Sequence, residues 1–452
     1  MTADQLTSTA RESRAATYSR RLPIRPIEAR GARVRADDGR WYVDCLAAAG
    51  AMSLGWNHPA ISEAVMKTVS SGEPLLSLDF HTPSRDRFVE ELLSILPVRL
   101  AADASIHLCS PSGASAVEAA LMLAEVATGG REHVGVQGGF HGCTRAARAR
   151  RAPVGGLRQQ PVVLSPQASF LPYPQEYRSP FGVGGEQGVE LAIAAADALA
   201  RPHSGVTAPA SLIAEFVLGE GGVIPAPPRW GQALRRTAST LGVPLIADEV
   251  QAGMFRTGPA WAFQHCGIEP DMVVISKGLG SGIPIAVLVV RKEFDVWEPG
   301  AFTGTFRGNA MAFAAASAVI RFARENGLRA QVTARGKTFL DGLNAIASQS
   351  KLVGDVRGVG LMLGVEIVDP DLPWRDAAGA PAPELAAEIQ RACLHHGLIV
   401  ETGGQYGNVV RFLPPLTIEE SDIAAALNAL ESALAVVERT RATAEPALVE
   451  SR

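Results

Sequence analysis

The sequence predicts an α/β fold built around a doubly wound sheet, and three observations lead there. First, short apolar runs of strand length recur along the middle of the chain: IHLCS (106–110), HVGVQ (133–137), SLIAEFVL (211–218), VPLIA (243–247), MVVIS (272–276) and IAVLVV (285–290). Many are bounded by Gly or Pro, as buried strands of a parallel sheet are. Second, segments with helical spacing separate them, so that strands and helices alternate over residues 60–310. Third, polar residues capable of chemistry stand just beyond several of the runs, where open α/β sheets gather their ligands.

The chain has 452 residues, enough for a large core and more than one domain. Its 47% hydrophobic and 19% charged content fits a globular enzyme. A net charge of −4 gives no reason to expect nucleic acid or an anionic membrane as a partner. The N-terminal MTADQLTSTARESR has no apolar stretch of the kind a signal peptide carries. No run approaches the roughly 18–20 apolar residues of a membrane span. Five cysteines (Cys45, Cys109, Cys143, Cys266, Cys393) are scattered without CxxC spacing, which points to reduced thiols in a cytoplasmic protein and to no metal site.

Taken in order, residues 1–20 are polar and read as frayed or draped on a partner. Residues 24–46 alternate about the turn Ala36-Asp37-Asp38-Gly39 and read as a hairpin. Small residues at 47–57 form a loop, and His58-Pro59 opens a helix. A second helix covers 84–96, with Phe88, Leu92, Leu93 and Leu96 on one face. After the strand at 106–110 comes the helix ASAVEAALMLAEVAT. The Pro/Gly-rich stretch 165–188 has no periodicity, and a loop of that length is usually functional or part of an interface. A long helix covers 310–325. From 330 the character changes to an α/β tail: GDVRGVGLMLGVEI (354–367), a helix near 383–396, and GLIVET with VVRFLPPLTI. The expected organisation is an N-terminal segment of a small domain (1–60), a large domain (61–325), the rest of the small domain (326–440) and a disordered tail (441–452).

Several constellations carry chemistry, each with a plainer reading beside it. Asp248 and Lys277 close two apolar strands, and lysine is scarce here, occurring only at 67, 277, 292, 337 and 351. An acid that keeps a ring nitrogen protonated, with a lysine that forms a Schiff base with an aldehyde, suits a pyridine cofactor. An acid that caps a helix or pairs with an arginine, and a snorkelling lysine, are the alternatives. Ser112-Gly113-Ala114 lies between a strand and a helix, where free amides bind phosphate or an ordinary Ser cap forms. Phe140-His141-Gly142 follows a strand; Phe140 either stacks on a ring or packs in the core. Gln251, three residues after Asp248, offers a donor for a ring oxygen, but alone it carries no meaning. The hydroxyl-rich Thr303–Asn309 turn completes a phosphate cup or is a plain loop. Arg411, in an apolar run, requires an anion: either a substrate carboxylate or Glu220. The glycines of GDVRGVGLMLG hint at a dinucleotide loop, but the strand–GxGxxG–helix spacing is absent.

In their joint order, SGA (112–114), FHG (140–142), GEGG (219–222), DEVQAGMFRTG (248–258), SKGLGSGIP (276–284), GTFRGN (304–309) and RFLPPLTI (411–418) resemble the class III aminotransferases that depend on pyridoxal 5'-phosphate. The likeness covers about residues 20–440. It implies fold type I: a large doubly wound domain with a mixed sheet, and a smaller α/β domain built from the two chain ends. It implies that Lys277 binds the cofactor covalently, Asp248 holds the ring nitrogen, Gln251 contacts the ring hydroxyl and Phe140 stacks on the ring. Ser112, Gly113, Ala114 and His141 belong to the same cofactor site. Thr305 reaches the phosphate of a neighbouring subunit, which implies a homodimer with composite sites, alone or within a tetramer. Arg411 looks like the arginine that takes an α-carboxylate, with Glu220 as its exchange partner; Trp56 and Arg145 join them as substrate-side candidates.

Within the class, VDCLAAAGAMSLGWNHP, PLLSLDFHTPSRD, CSPSGASAVEAAL, FLPYPQEYRSPFGVGGEQG and FDVWEPGAFTGTFRGN look like the diaminobutyrate–2-oxoglutarate transaminases. The implied reaction exchanges an ω-amino group: L-2,4-diaminobutyrate and 2-oxoglutarate against L-aspartate 4-semialdehyde and L-glutamate. Its partners are small amino and 2-oxo acids. Two departures bear on the donor: Leu218 replaces a common Gln, and Cys143 stands where some relatives carry Arg. Other ω-aminotransferases of the class (for ornithine, acetylornithine, 4-aminobutyrate or a specialised diamine), an aminomutase and a non-catalytic cofactor-binding protein remain alternatives.

Overall fold

The computed structural model of the chain describes residues 22–149, 168–201, 209–374 and 379–449. The apolar runs form one seven-stranded sheet in the order Ala104–Leu108, Val287–Arg291, Met272–Ile275, Leu245–Asp248, Ser211–Ala214, His133–Val136, Ala168–Leu171. Only Val287–Arg291 runs against its neighbours, so the sheet is mixed rather than wholly parallel. Its central strands are buried along their whole length, because helices cover both faces. That is why they read as unbroken Val, Ile and Leu rather than as an alternation.

The two ends of the chain meet in a smaller α/β unit. Pro26–Arg30, Arg33–Ala36 and Trp41–Asp44 form a meander, and Leu398–Ile399 from the far end pairs in parallel with the third strand. The hairpin expected around 36–39 is present, with one strand more on its N-terminal side. A second sheet joins Val353–Val359, Met362–Asp369, Val409–Phe412 and Glu401–Gly403. The glycine-rich GDVRGVGLMLG is thus a hairpin of this sheet. The 47–57 stretch contains a left-handed turn through Ala47, Ala48 and Ala49, at φ of 46°, 52° and 57°.

Three expectations are corrected. SLIAEFVL is not one strand: it breaks after Ala214, where Glu215 turns its carboxylate to backbone amides, and only Val217–Leu218 resumes pairing. The 165–188 stretch is not wholly irregular. Ala168–Leu171 is the edge strand of the large sheet, and Gly185 opens a fifteen-residue helix. Between them the Tyr173 hydroxyl donates to the carbonyl of Ile224 at 3.1 Å, and Arg178 pairs with Glu366. These are long-range anchors that no local pattern announces. Finally, the Glu420–Val449 helix runs through most of the segment expected as a disordered tail, with Arg441 held by Asp369 and Asp371 at 2.5 Å each. The polar residues 1–20 lie outside the described residues.

Candidate active site

A cavity of about 490 Å³ opens at the carboxyl ends of the central strands. Ser112, Gly113, Ala114, Phe140, His141, Glu220, Asp248, Gln251 and Lys277 all line it, so nine of the sequence candidates are brought together.

Asp248 ends its strand with only 3% of its surface exposed. Its Oδ1 accepts the Val250 amide at 3.0 Å, and its Oδ2 lies 2.7 Å from Nδ1 of the buried His141. A carboxylate only accepts, so that nitrogen carries the hydrogen and the pair locks the acid's orientation. Lys277 follows the neighbouring strand in a short 3₁₀ turn, at the strained φ of 31°. Burial lowers its pKa, opposed by Glu220 and reinforced by Arg411. Such an amine loses its proton more readily than an exposed lysine.

The sixteen-residue helix Gly113–Thr128 points its N-terminus at the cavity, and its first amides have no partner within the helix. Gly142 brings the FHG turn against that end: at φ 119°, a Cβ there would lie 2.6 Å from the Ala114 Cβ. Deeper in, Arg411 is fully buried in the strand Val409–Phe412. Its Nη2 donates to Glu220 at 3.0 Å and to Glu401 at 2.7 Å, and its Nη1 to Gln251 at 3.4 Å. Burial opposes ionisation of Glu220, but Arg411 and Lys277 outweigh it and lower its pKa.

Three sequence candidates fall elsewhere. Trp56 lines a separate apolar cavity with Leu22, Ile24 and Val34, and its indole N–H donates to Asp44 at 2.7 Å. Arg145 is exposed at the start of the short Arg145–Ala149 helix. Thr305 is exposed and does not line this chain's cavity. Conversely, sequence reasoning missed two acids. Glu215 lines the cavity and accepts the amides of Phe140 (2.9 Å) and Gly219 (3.1 Å); burial and Asp248 raise its pKa to about 7. Glu401 is the second acid on Arg411. An acid inside an apolar run was the available signal for both. Among the described residues no cluster of His, Cys, Asp and Glu is placed to hold a metal ion.

Comparison with known proteins gives the family. The model of the family "Aminotransferase class-III" matches residues 15–434. The chain belongs to this family. It is 46% identical to the diaminobutyrate–2-oxoglutarate aminotransferase of Rhizobium meliloti, over 94% of this chain and 90% of that one. The protein of the same name from Haemophilus influenzae is 42% identical, over 91% and 90%. Among solved structures, an amine transaminase from an uncultivated Pseudomonas species superposes with a TM-score of 0.83 at 23% identity, covering 94% of this chain and 98% of that one. An aminotransferase of Bacillus anthracis gives 0.83 at 24%, covering 97% and 100%. At those identities the two structures speak for the fold alone.

The cofactor of this class is pyridoxal 5'-phosphate, and the cavity's donor set fits it. The enzyme offers a buried acid for a ring nitrogen, an amine for an aldehyde and helix-terminal amides for a phosphate, all lining one cavity.

Proposed function

We propose that the enzyme is a diaminobutyrate–2-oxoglutarate transaminase, moving the ω-amino group between L-2,4-diaminobutyrate and L-glutamate, with L-aspartate 4-semialdehyde and 2-oxoglutarate as the matching carbonyl compounds. The observation that carries this reading is the Arg411–Glu220 pair beside Lys277. One substrate presents a carboxylate next to the reacting carbon and the other presents none. An arginine that can trade an internal acid for an external one accommodates both. The 46% and 42% identity to relatives of that name supports the choice of donor.

Bound pyridoxal phosphate supplies an electron-withdrawing ring that takes up the electrons released when the C–H bond beside the substrate nitrogen breaks. The chain's residues do the rest. Lys277 would hold the cofactor through Nζ; as a free amine it takes the proton from the substrate carbon and returns it on the other side of the exchange. Asp248, fixed by His141 and the Val250 amide, would keep the ring nitrogen protonated. Gly113 and Ala114 would hold the phosphate through their amides, with Ser112 at the same helix end, and Phe140 would cover the ring. Gln251 would serve a ring oxygen while its amide ties Glu220 at 3.3 Å.

The enzyme works as a homodimer with composite sites in this reading. Thr305, exposed on its own chain, would complete the phosphate site of the partner. Around it the chain exposes Leu75, Leu76, Phe80 and Phe306. These sit together because Leu76 bridges to Asn309 and the Ser77 amide donates to Gly308. An apolar patch of this kind marks an association surface. The five free cysteines favour a reducing, cytoplasmic location, and no helix among the described residues is long and apolar enough to cross a membrane.

The test is a donor screen with 2-oxoglutarate as acceptor, reading L-glutamate. Diaminobutyrate is expected to outperform ornithine, acetylornithine and 4-aminobutyrate. Preference for one of those reassigns the donor, and isomerisation without consumption of 2-oxoglutarate makes the protein an aminomutase.

A further inference from the structure

We propose that Glu401 is a specificity-determining residue of the carboxylate subsite: a fixed counter-ion that holds the Arg411 guanidinium in place and tempers its attraction for a substrate carboxylate. The inference rests on the exchange role given above to Arg411 and Glu220.

The two acids that meet Arg411 are held in different ways. Glu401 and Arg411 are directly paired residues of the antiparallel strands Glu401–Gly403 and Val409–Phe412. Strand register therefore holds Glu401 where it is, with Oε2 2.7 Å from Nη2. Both side chains are buried, at 6% and 0% exposure. Gly403 makes room for them, since a Cβ there would lie 2.6 Å from Arg411 Nε. Glu220, by contrast, lines the cavity from the GEGG turn, with glycine on each side in the sequence. It contacts the same Nη2 at 3.0 Å. One acid is placed to stay and the other to leave.

The charge count gives the consequence. With both acids in place, one guanidinium faces two carboxylates. When Glu220 leaves, Arg411 and Glu401 remain as a neutral pair, and an incoming carboxylate restores the original count. Without Glu401, Arg411 would lose one of its two acids, and the charge of this buried cation would weigh more heavily on any incoming carboxylate. That cation would then bind the first carboxylate to arrive too tightly to release it readily. Glu401 keeps Arg411 partnered throughout and keeps the two states of the exchange close in energy, which an enzyme alternating between a carboxylate-bearing and a carboxylate-free reacting carbon requires.

Glu401→Gln removes the charge at constant shape. Two half-reactions are followed separately by the change in cofactor absorbance, one with L-glutamate and one with L-2,4-diaminobutyrate. Binding of glutarate, an unreactive dicarboxylate, is titrated in parallel. The KM for L-glutamate and the Kd for glutarate are expected to fall roughly three- to tenfold, while the KM for the amine donor does not fall, so their ratio shifts. Glu401→Asp keeps the charge but draws it back from Arg411, and should lie between the variant and the parent. Unchanged or weaker glutarate binding in Glu401→Gln, or a parallel rise of both KM values, overturns the proposal. The wild-type arm reads the parent assignment independently. Failure to transaminate diaminobutyrate sinks that assignment while glutarate still reports on Glu401. Normal diaminobutyrate turnover with unaltered glutarate binding sinks Glu401 alone.

Discussion

Lys277 is partly exposed to the cavity, and its amine is held at a strained backbone position by a packed strand behind it. Lys277→Ala should abolish the absorbance of the lysine-bound cofactor and reduce turnover by at least about 10²–10⁴-fold, the usual weight of a general acid–base group. Asp248→Asn should keep the absorbing cofactor bound but slow proton removal by a similar factor, which single-turnover kinetics would resolve. A pH effect belongs to the same scale. Glu249, behind Asp248, accepts the amides of Ala262 (2.8 Å) and Phe263 (3.0 Å), and burial raises its pKa to about 8. Its folded value lies above its unfolded one, so the folded state binds the extra proton between them. Stability is therefore greatest near the unfolded pKa and declines as pH rises toward 8, by at most about 1.4 kcal/mol per pH unit for one such group. Thermal midpoints measured between pH 5 and pH 8 should fall; Glu215, raised to about 7, adds a slope of the same sign, so Glu249→Gln should reduce the decline without removing it. Glu220, whose pKa is lowered, is ionised across that window and contributes no slope there.

At the scale of elements, the site depends on turns meeting helix and strand ends. The FHG turn closes on the Gly113–Thr128 helix through Gly142, at φ 119°. Gly142→Ala would require both a left-handed backbone, costing about 1–3 kcal/mol, and relief of a 2.6 Å contact with Ala114. The expected outcome is weaker cofactor retention, read as faster loss of cofactor on dialysis, with secondary structure by circular dichroism retained. Strand existence was legible at this scale because VPLIA and MVVIS are buried on both faces and read as continuous apolar runs. The break in SLIAEFVL was not, because what interrupts it is the demand of the Phe140 and Gly219 amides for Glu215, two contacts 75 and 4 residues away in sequence. The edge strand Ala168–Leu171 was hidden for a related reason. Four residues carry too little pattern, and only pairing with His133–Val136 makes them a strand.

For the whole molecule, the two ends of the chain are joined by parallel pairing of Leu398 with Val43 and Ile399 with Asp44 in one four-stranded sheet. Arg411, from the second part of the chain, backs the cavity through Glu220 and Gln251, while Lys277 and Asp248 come from the first. The exposed Phe80 and Phe306, at 70% and 64%, belong to the proposed dimer surface. Phe306→Asp should shift the protein toward monomer in sedimentation. It should lose cofactor in step, because Thr305 beside it would no longer reach the partner's phosphate. A monomeric variant with full cofactor and turnover would contradict composite sites.

The sequence by itself determined the α/β class and, through its resemblance, the family; the candidates Lys277, Asp248, Gln251, Phe140 and Ser112-Gly113-Ala114, which stand near strand or helix ends, all line one cavity. The sequence already offered Glu220 as a partner for Arg411, but tertiary structure alone added Glu401 and put both acids on one nitrogen. Glu401 is ten residues away and Glu220 is 191, and neither sequence distance predicts a shared Nη2. It also moved Trp56 to another cavity and brought Glu215 into this one. The physical reason is that strand ends are written in short-range hydrophobicity, whereas the partners of a buried charge are set by sheet register and by loops that converge only when the chain is folded.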